Sequence, residues 1–223
     1  MCGRFAYPGD DLVAPLFEVE VVSASVAPSN DVRPTQQVAM IVEDAAEAER
    51  ENRAPVRQLR AARWGLIPSW TKQLDSRFLL INARAETVLD KPSFRTAASR
   101  RRAIVPASGY YEWMKNDDGT KTPFFLHDPA DSVIGFAGIY EWWKVPDDVE
   151  VRGAADGWLC SVSIITRAAT DTLGHIHDRM PVVVPPTSAD TWLDPTLTDR
   201  DEVDAVLNSL PDPVLIPTKR TPR

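Results

Sequence analysis

Short apolar runs separated by turn-forming residues recur along most of this chain. Runs of this kind, bounded by Gly, Pro, Asn or Asp, are typical of β-strands. The predicted strands are residues 38–42, 58–66, 103–106, 109–114, 122–126, 133–143, 158–166 and 180–184. Residues 103–106 and 109–114 are expected to pair with each other, and residues 116–119 carry the composition of a turn.

Helical patterns occur near both ends of the chain and once in its middle. Asp10 and Asp11 are placed to cap an amphipathic run at residues 12–17, which Pro15 keeps short. Further helices are predicted at residues 91–102 and 190–210, and an exposed acidic excursion at 43–51. The 19 prolines divide the chain into short elements. Together these patterns predict an α+β fold with a curved, mainly antiparallel β-sheet or barrel-like core and peripheral helices.

Composition adds limits on domain number and location. A chain of 223 residues with 43% hydrophobic residues fits one domain spanning residues 1–223. No stretch reaches the roughly 18 uncharged apolar residues of a membrane span, and no leader pattern opens the chain. We therefore expect a cytoplasmic monomer that does not enter membranes. The two cysteines suggest neither a disulfide framework nor a zinc site, and Cys160 is expected to be buried.

The charge is distributed unevenly. The whole chain carries −7, yet residues 53–102 hold twelve Lys or Arg against three Asp or Glu, a net charge of +9. Such asymmetry can produce a cationic face that suits a polyanion. The alternative is an ordinary solvated surface.

The first five residues, Met1-Cys2-Gly3-Arg4-Phe5, offer unusual chemistry. Removal of Met1 would leave Cys2 with a free α-amine and a thiol on one residue. Reference pKa values of about 7.7–8.0 for the amine and about 8.5 for the thiol leave a fraction of each nucleophilic near neutral pH. Such an aminothiol can form an imine with an aldehyde and then close to a thiazolidine. Alternatively, Cys2 is simply the residue that follows the start codon.

Three polar clusters interrupt apolar, strand-like surroundings. Alternation along residues 80–87 would place Asn82, Arg84 and Glu86 on one side of an extended segment, either as a functional face or as a salt-bridged edge strand. Glu112 lies between Tyr111 and Trp113, and a carboxyl group that loses solvation there could exchange protons with a substrate. Alternatively, Glu112 lies on the solvent-exposed face of a half-buried strand.

The third cluster surrounds His177. A metal site at His175 and His177 lacks a third ligand at suitable spacing. Asp178 and Arg179 instead suggest an imidazole oriented by its neighbours and able to donate a proton.

Taken together, these segments resemble the SRAP family, the SOS-response-associated proteins that process abasic sites in single-stranded DNA. The resemblance rests on Met1-Cys2-Gly3-Arg4-Phe5, Trp64-Gly65-Leu66-Ile67-Pro68, Ile81-Asn82-Ala83-Arg84-Ala85-Glu86-Thr87, Gly109-Tyr110-Tyr111-Glu112-Trp113 and Ile176-His177-Asp178-Arg179-Met180-Pro181. It implies that Cys2 links covalently to the abasic-site aldehyde, in a crosslinking or lyase-type reaction that needs no metal or organic cofactor. It implies that Glu112 and His177 form the acid–base pair.

The same resemblance implies a set of residues that bind DNA. Arg4, Asn82, Arg84 and Thr166 would hold the strand near the lesion, and Trp64 and Trp70 would support the groove by packing or stacking. The expected partner is single-stranded DNA that contains abasic sites.

Two segments depart from the family pattern. Where the family has Tyr-Asn-Val/Ile-Ala-Pro, this chain reads Asn30-Asp31-Val32-Arg33-Pro34, which leaves Asp31 or Asn30 to fill the active-site Asn position. An ionised Asp cannot donate the hydrogen bonds of an amide. The Asn-rich closing strand of the family is also not recognisable in residues 216–223.

Two other functions remain open at this point. One is an N-terminal cysteine peptidase, acting on itself or on other proteins, in which the thiol attacks a carbonyl and the α-amine serves as base. The other is a single-stranded DNA-binding module without catalysis.

Overall fold

The computed structural model of the chain describes residues 2–74, 79–170 and 174–222. Met1, Asp75 and Arg77, which entered the sequence analysis, lie outside these residues. The described strands are β1 (Phe5–Tyr7), β2 (Val21–Val22), β3 (Ser29–Val32), β4 (Gln37–Glu43), β5 (Arg57–Trp64), β6 (Asn82–Arg84), β7 (Arg102–Ala107), β8 (Gly109–Lys115), β9 (Lys121–His127), β10 (Ile134–Lys144), β11 (Trp158–Ala168), β12 (Arg179–Pro181) and β13 (Ile216–Lys219). The described helices are α1 (Asp10–Leu16), α2 (Ala45–Arg50), α3 (Arg95–Arg100), α4 (Ala189–Leu193) and α5 (Arg200–Ser209).

Five of the strands close into a barrel. Strands β11, β10, β7, β4 and β5 follow one another through antiparallel pairs. A parallel pairing of β11 with β5, in which Val162 lies opposite Trp64, completes the circle. Strands β12 and β6 add to β11, and β2 adds to β5. The predicted α+β fold with a barrel-like core is therefore confirmed.

A second, antiparallel sheet has the strand order β13, β9, β8, β1, β3. Strand β1 lies between β8 and β3, with Phe5 opposite Tyr110 on one side and Val32 on the other. The first residues of the chain are consequently built into a sheet interior, with neighbours on both sides.

Aromatic side chains join the two sheets. Phe5 of β1 contacts the ring of Trp64 at a centroid distance of 5.0 Å and that of Phe136 at 6.0 Å, both edge to face. Tyr110 of β8 also meets Phe136. Edge-to-face pairs of this kind are worth about 0.5–1.5 kcal/mol each beyond the burial of their area. The N-terminal strand is thereby anchored to the barrel.

The predicted pairing of residues 103–106 with 109–114 is wrong. Strand β7 pairs with β10 and β4 in the barrel, whereas β8 pairs with β1 and β9 in the second sheet. The chain passes from the barrel to the second sheet after β7, and Gly109 is the first residue of β8. A Cβ atom on Gly109 would lie 2.5 Å from the carbonyl oxygen of Leu126, so a side chain does not fit there. The turn at residues 116–119 instead connects β8 to β9.

Helix boundaries differ from the predictions for identifiable reasons. Helix α1 follows Gly9 without a side-chain cap, because the carboxylate of Asp10 accepts hydrogen bonds from Tyr7 and Ser25 instead. Helix α3 is shorter than residues 91–102, since Arg102 already belongs to the barrel strand β7. The acidic excursion contains helix α2, whose first turn is capped by Asp44. The helices predicted within 190–210 are present as α4 and α5.

Several arginines of the basic segment 53–102 are paired with acids or buried instead of being displayed together on the surface. Arg57 binds Glu43 and Asp190. Arg60 binds Asp44 and Glu47, and Arg101 binds Glu141. Arg102 is buried and donates to backbone carbonyls. Acids from outside the segment neutralise much of its charge, which the net charge of +9 cannot reveal. None of the described helices is long and apolar enough to cross a membrane.

Cys160 is buried in the barrel, as predicted. Burial raises the pKa of its thiol to about 12, whereas a thiol in an unfolded chain has a pKa of about 8.5. Above that lower value the unfolded state releases a proton that the native state retains. The free energy of unfolding therefore falls with rising pH, by up to about 1.4 kcal/mol per pH unit for this group.

We predict that Cys160→Ala makes this alkaline decline shallower by that amount. Denaturant unfolding at a series of pH values measures it. Between about pH 6 and 8 the difference in stability between the two proteins should be constant, because the thiol is protonated in both states. If the free energies of unfolding of the two proteins differed by the same amount at every pH up to 11, the decline would not be due to the Cys160 thiol.

Candidate active site

Cys2 is fully buried where the chain enters the second sheet. The side-chain amide of Asn82, on β6, donates a hydrogen bond of 2.9 Å to the Cys2 carbonyl oxygen. Two residues further on, the Arg4 carbonyl accepts a 2.8 Å hydrogen bond from the Tyr111 N–H. These two bonds hold the terminal segment between the barrel and strand β8.

The Cys2 thiol is not ready to ionise in this environment. Burial foremost, and then the negative charge of Glu112, raise its pKa well above the ordinary value. A thiolate in this position would lose its hydration and face a carboxylate. Burial therefore opposes ionisation of the thiol in the folded chain, and the sequence could not have indicated this because burial of Cys2 depends on distant strands.

Glu112 is also buried, with 5% of its surface exposed. Its sequence neighbours do not cause this burial. Side chains alternate along β8, so Tyr111 and Trp113 lie on the opposite face, where they form a cluster with Ala6 and Phe125. Glu112 instead lies on the face of Tyr110, and its charge acts on both Tyr110 and Cys2. The acid and the thiol are thus placed together on the core side of the strand.

His177 precedes strand β12 and is partly exposed. Its Nδ1 lies 3.0 Å from the backbone N–H of Arg179 and 2.8 Å from Oδ1 of Asp178. The first contact suits a neutral ring, whose bare Nδ1 accepts a hydrogen bond while Nε2 carries the proton. The second suits a protonated ring, whose Nδ1–H donates to the carboxylate. Both charge states of the imidazole therefore have a partner.

Arg179 ties this histidine to β6 and β11. Its guanidinium donates to both carboxylate oxygens of Glu86, at 2.6 and 2.9 Å, and to the Thr166 carbonyl at 2.6 Å. The hydrogen bonds from Arg179 are the main cause that lowers the pKa of Glu86. Glu86 belongs to a 3-10 turn that follows β6, so the predicted extended run with Asn82 and Arg84 is wrong at its third member.

Strand β6 connects the two parts of the site. Its residue Asn82 contacts Cys2, and two positions later Arg84 lies opposite Thr166 of β11. Thr166 accepts from Arg179, whose backbone N–H contacts His177. A short structural path therefore runs from the Cys2 carbonyl to the imidazole.

Asp31 of β3 is one of the two candidates for the family's Asn position, and its carboxylate is held by two arginines. Arg33 donates to Oδ2 through Nε at 2.8 Å and Nη2 at 2.5 Å, and Arg4 Nε lies 3.3 Å from Oδ1. Asn30 is exposed. The Asp31 carboxylate therefore has a counter-charge close in sequence, at Arg33 just after the strand, and a second one at Arg4.

The remaining predicted DNA-binding residues lie at different depths. Arg84 is exposed, whereas Thr166 is fully buried and its hydroxyl bonds to the Ala83 carbonyl. Trp64 is also fully buried, with Nε1 donating to the Ile81 carbonyl, which leaves it a packing role rather than stacking on a base. Trp70 is 65% exposed.

Trp70 lines an apolar cleft of about 590 Å³. The other lining residues are Leu66, Ile67, Pro68, Thr71, Lys72, Gln73, Leu74, Leu80 and Ser93. Leu80, at one wall, precedes by two residues the Asn82 that contacts Cys2. An apolar surface with an exposed indole is chemically suited to a flat, weakly polar ring.

Several site residues were missed or assigned no role in the sequence analysis. The contact of Glu86 with Arg179 joins two recognised segments, and their opposite charges are the only sequence signal for it. Tyr110, beside Cys2 and Glu112, gave no signal beyond a strand pattern. Within the described residues, no group of three or more His, Cys, Asp or Glu is arranged to hold a metal ion.

Comparison with known proteins identifies relatives of this chain. Abasic site processing protein YoqW of Bacillus subtilis (strain 168) is 34% identical over 210 residues, which cover 93% of this chain and 86% of that protein. Abasic site processing protein HMCES of Gallus gallus is 31% identical over 161 residues, covering 62% of this chain and 46% of the relative. A crystal structure of a Bordetella bronchiseptica protein shares the fold, with a TM-score of 0.73, 23% identity and coverage of 99% of this chain and all of the other.

The sequence profile described as SOS response associated peptidase (SRAP) matches residues 1–218, which includes Cys2 and each of the segments that surround it. Because this match spans nearly the whole chain and the bacterial relative aligns along most of its length, the protein belongs to the SRAP family.

Proposed function

We propose that this chain processes abasic sites in single-stranded DNA by joining Cys2 covalently to the aldehyde of the lesion, after removal of Met1. One observation carries the proposal. Asn82, from a segment 80 residues away, holds the backbone of Cys2 while the thiol lies buried beside Glu112. The names of the YoqW and HMCES relatives supply the substrate.

The reaction can be written with every atom accounted for. The unprotonated α-amine of Cys2 attacks the aldehyde carbon, and the resulting carbinolamine loses water to give an imine. The sulfur then adds to the imine carbon while the thiol proton moves to the nitrogen, which closes a thiazolidine. Overall, one water is released and neither an oxidant nor a reductant is needed.

The raised pKa of the Cys2 thiol suits this order of events. A protonated thiol does not compete with the amine for the aldehyde, and it brings the proton that the imine nitrogen needs at ring closure. Glu112, on the same face of β8, is placed to take a proton from the ammonium and to relay it to the leaving hydroxyl. Its buried position keeps bulk water from this exchange.

His177 is assigned to the step before attack. A deoxyribose abasic site is mostly a closed hemiacetal, so the ring must open before an aldehyde exists. A protonated imidazole, whose Nδ1–H donates to Asp178, can give its Nε2 proton to the ring oxygen and become neutral. Nε2 can then take up the proton that the anomeric hydroxyl loses as the carbonyl forms, which restores the imidazolium.

Binding of the strand is assigned to residues around this centre. Arg4 offers a partly exposed and Arg84 an exposed guanidinium group to phosphates, and Trp70 offers an indole to a base beside the lesion. Asn82 positions Cys2 and acts on DNA only indirectly. The core shared by both sheets supports a single domain over residues 1–223.

A peptidase is the competing function, since the family description contains that word. The buried, protonated thiol disfavours it, because thiolate is the usual nucleophile of cysteine peptidases. Intact-mass analysis of the protein with abasic single-stranded DNA distinguishes the outcomes. A stable adduct supports our proposal, and turnover of a peptide supports the peptidase. If neither is observed, a DNA-binding module without catalysis remains.

We predict that the adduct requires a free N-terminal Cys2. Cys2→Ala, or a version that keeps one residue in front of Cys2, should give no stable adduct, because the ring uses the nitrogen and sulfur of one residue. The processed protein should gain the mass of the DNA minus one water. Cys160→Ala is the matched control and should react normally. Equal crosslinking by the blocked version would exclude the thiazolidine.

We predict that Glu112→Gln has opposite effects on two reactions of Cys2. Crosslinking should slow by about 10²-fold or more, the usual size of a general acid–base contribution. Alkylation of the Cys2 thiol by iodoacetamide at about pH 8 should become faster, because loss of the negative charge lowers the thiol pKa. Peptide mapping by mass spectrometry measures the second rate.

Glu141→Gln is the matched control for this pair, since Glu141 is equally buried but lies near Cys160. It should leave both Cys2 reactions unchanged. If Glu112→Gln slowed alkylation and crosslinking together, the variant would have closed or distorted the site rather than removed a charge.

We predict that His177→Ala slows crosslinking to a natural abasic site by about 10²-fold but barely affects an open-chain aldehyde analogue. The analogue needs no ring opening, so it bypasses the assigned step. His175→Ala, two residues away and exposed, is the control and should match the unmodified protein on both substrates. Equal slowing of His177→Ala on both substrates would assign the imidazole to a later step.

A further inference from the structure

The outer face of strand β8 carries an aromatic patch, defined here as Tyr111, Trp113 and Phe125. Tyr111 and Phe125 are buried and their rings lie 4.8 Å apart, with Trp113 packed against them. This face is opposite to the one that carries Glu112 and Tyr110. The aromatic patch is therefore separate from the reacting groups, although it is built on the same strand.

Two guanidinium groups lie on the aromatic patch. The Cζ atom of Arg4 is 5.8 Å from the Trp113 ring, and that of Arg220 is 4.8 Å from the Phe125 ring. Arg220 reaches this position because β13 pairs with β9 and its own N–H bonds to the Pro123 carbonyl. Within the described residues Arg220 has no carboxylate partner. A stacked guanidinium keeps its N–H edge available for an anion.

The hydroxyl group of Tyr111 lies among these charges without a hydrogen-bond partner in the described part of the chain, although the side chain is fully buried. Burial is the main cause of its raised pKa, and the charges of Arg220, Asp31 and Arg4 also act on it. A buried hydroxyl without a partner is costly to a protein. An O–H donor beside two cations is an arrangement that an anionic oxygen would complete.

Asp31 supplies negative charge to this place in the DNA-free protein. It lies 3.3 Å from Arg4 and also binds Arg33. Its Oδ1 is buried and accepts no hydrogen bond within the described residues, although it faces the Arg4 guanidinium. The carboxylate limits repulsion between the arginines while leaving the hydroxyl of Tyr111 unsatisfied.

We propose that Arg4, Arg220 and the Tyr111 hydroxyl form a binding site for one phosphodiester group of the captured strand. The site rests on the proposed function, because it assumes that a nucleic acid strand reaches Cys2. Arg4 is two residues from Cys2, so the phosphate belongs to a nucleotide near the lesion. Arg220 stands in the closing segment where the family pattern is not recognisable, which makes this contact a property of this chain.

The test replaces single phosphates by uncharged methylphosphonates, one position at a time, in an oligonucleotide with one abasic site. Equilibrium binding is measured with Cys2→Ala protein, so that no covalent product forms. At one position near the lesion the substitution should weaken binding. Arg220→Gln and Tyr111→Phe should each weaken binding to the unmodified strand and lose sensitivity at that same position. For Arg220→Gln the slope of log affinity against log salt should be smaller by about 0.7.

Arg200→Gln is the matched control, because Arg200 is exposed and pairs with Asp90 on another part of the surface. It should keep the full sensitivity pattern. Tyr111→Phe has a second readout: its melting temperature without DNA should not fall, since the removed hydroxyl has no partner in the described residues. If both patch variants retain sensitivity at every position, or if Tyr111→Phe loses stability with unchanged binding, the site is refuted.

Failure of this site is distinguishable from failure of the proposed function. Protein with Cys2 intact is incubated in parallel with the unmodified abasic strand, and its adduct is measured by mass. An adduct without a coupled phosphate position would overturn the phosphate site alone. Absence of the adduct would overturn the capture of the lesion by Cys2.

Discussion

The structure depends on burial of strand β1, and of Cys2 just before it, within the second sheet. Strand β1 lies inside the second sheet, and Phe5 contacts aromatic rings of the barrel. Most termini are poorly held because they have few buried contacts. Here the first strand is central to its sheet, so Cys2 is fixed by the same packing that joins the two sheets. Cys2, the residue proposed to react, thereby has the rigidity of a core position.

Burial changes the chemistry of the Cys2 thiol relative to that of an exposed cysteine. An exposed aminothiol would react with any aldehyde in the cell, whereas the pKa of the Cys2 thiol is raised by its surroundings. In the proposed reaction, the substrate must reach this buried site and supply an aldehyde to the amine. The same proposal assigns proton transfer to Glu112, whose charge also opposes ionisation of the thiol. Under that proposal, one contact both protects the thiol and assists the reaction.

Local patterns predicted most strands, because each is a short apolar run with turn residues at its ends. Partners could not be predicted in the same way. Strands β7 and β8 are separated by one residue yet belong to different sheets, and only the close approach of Leu126 to Gly109 explains the change. The distribution of surface charge could not be predicted locally either, because Glu43, Asp44 and Glu141 neutralise arginines far along the chain. Recognised motifs pointed to Cys2, Glu112 and His177 as candidates, but did not predict that Cys2 and Glu112 are buried.

Strand β8 shows why register matters for this site. Its side chains alternate, so Tyr110 and Glu112 face Cys2 while Tyr111 and Trp113 face the arginines. A shift of the β8 register by one residue would bury the Trp113 indole against the Cys2 thiol. It would also expose the Glu112 carboxylate beside Asp31. Gly109 fixes one end of the register through its tight contact with β9, and the hairpin to β9 fixes the other. The same strand thus separates the carboxylate proposed to transfer protons, on its inner face, from the hydroxyl proposed to bind a phosphate, on its outer face.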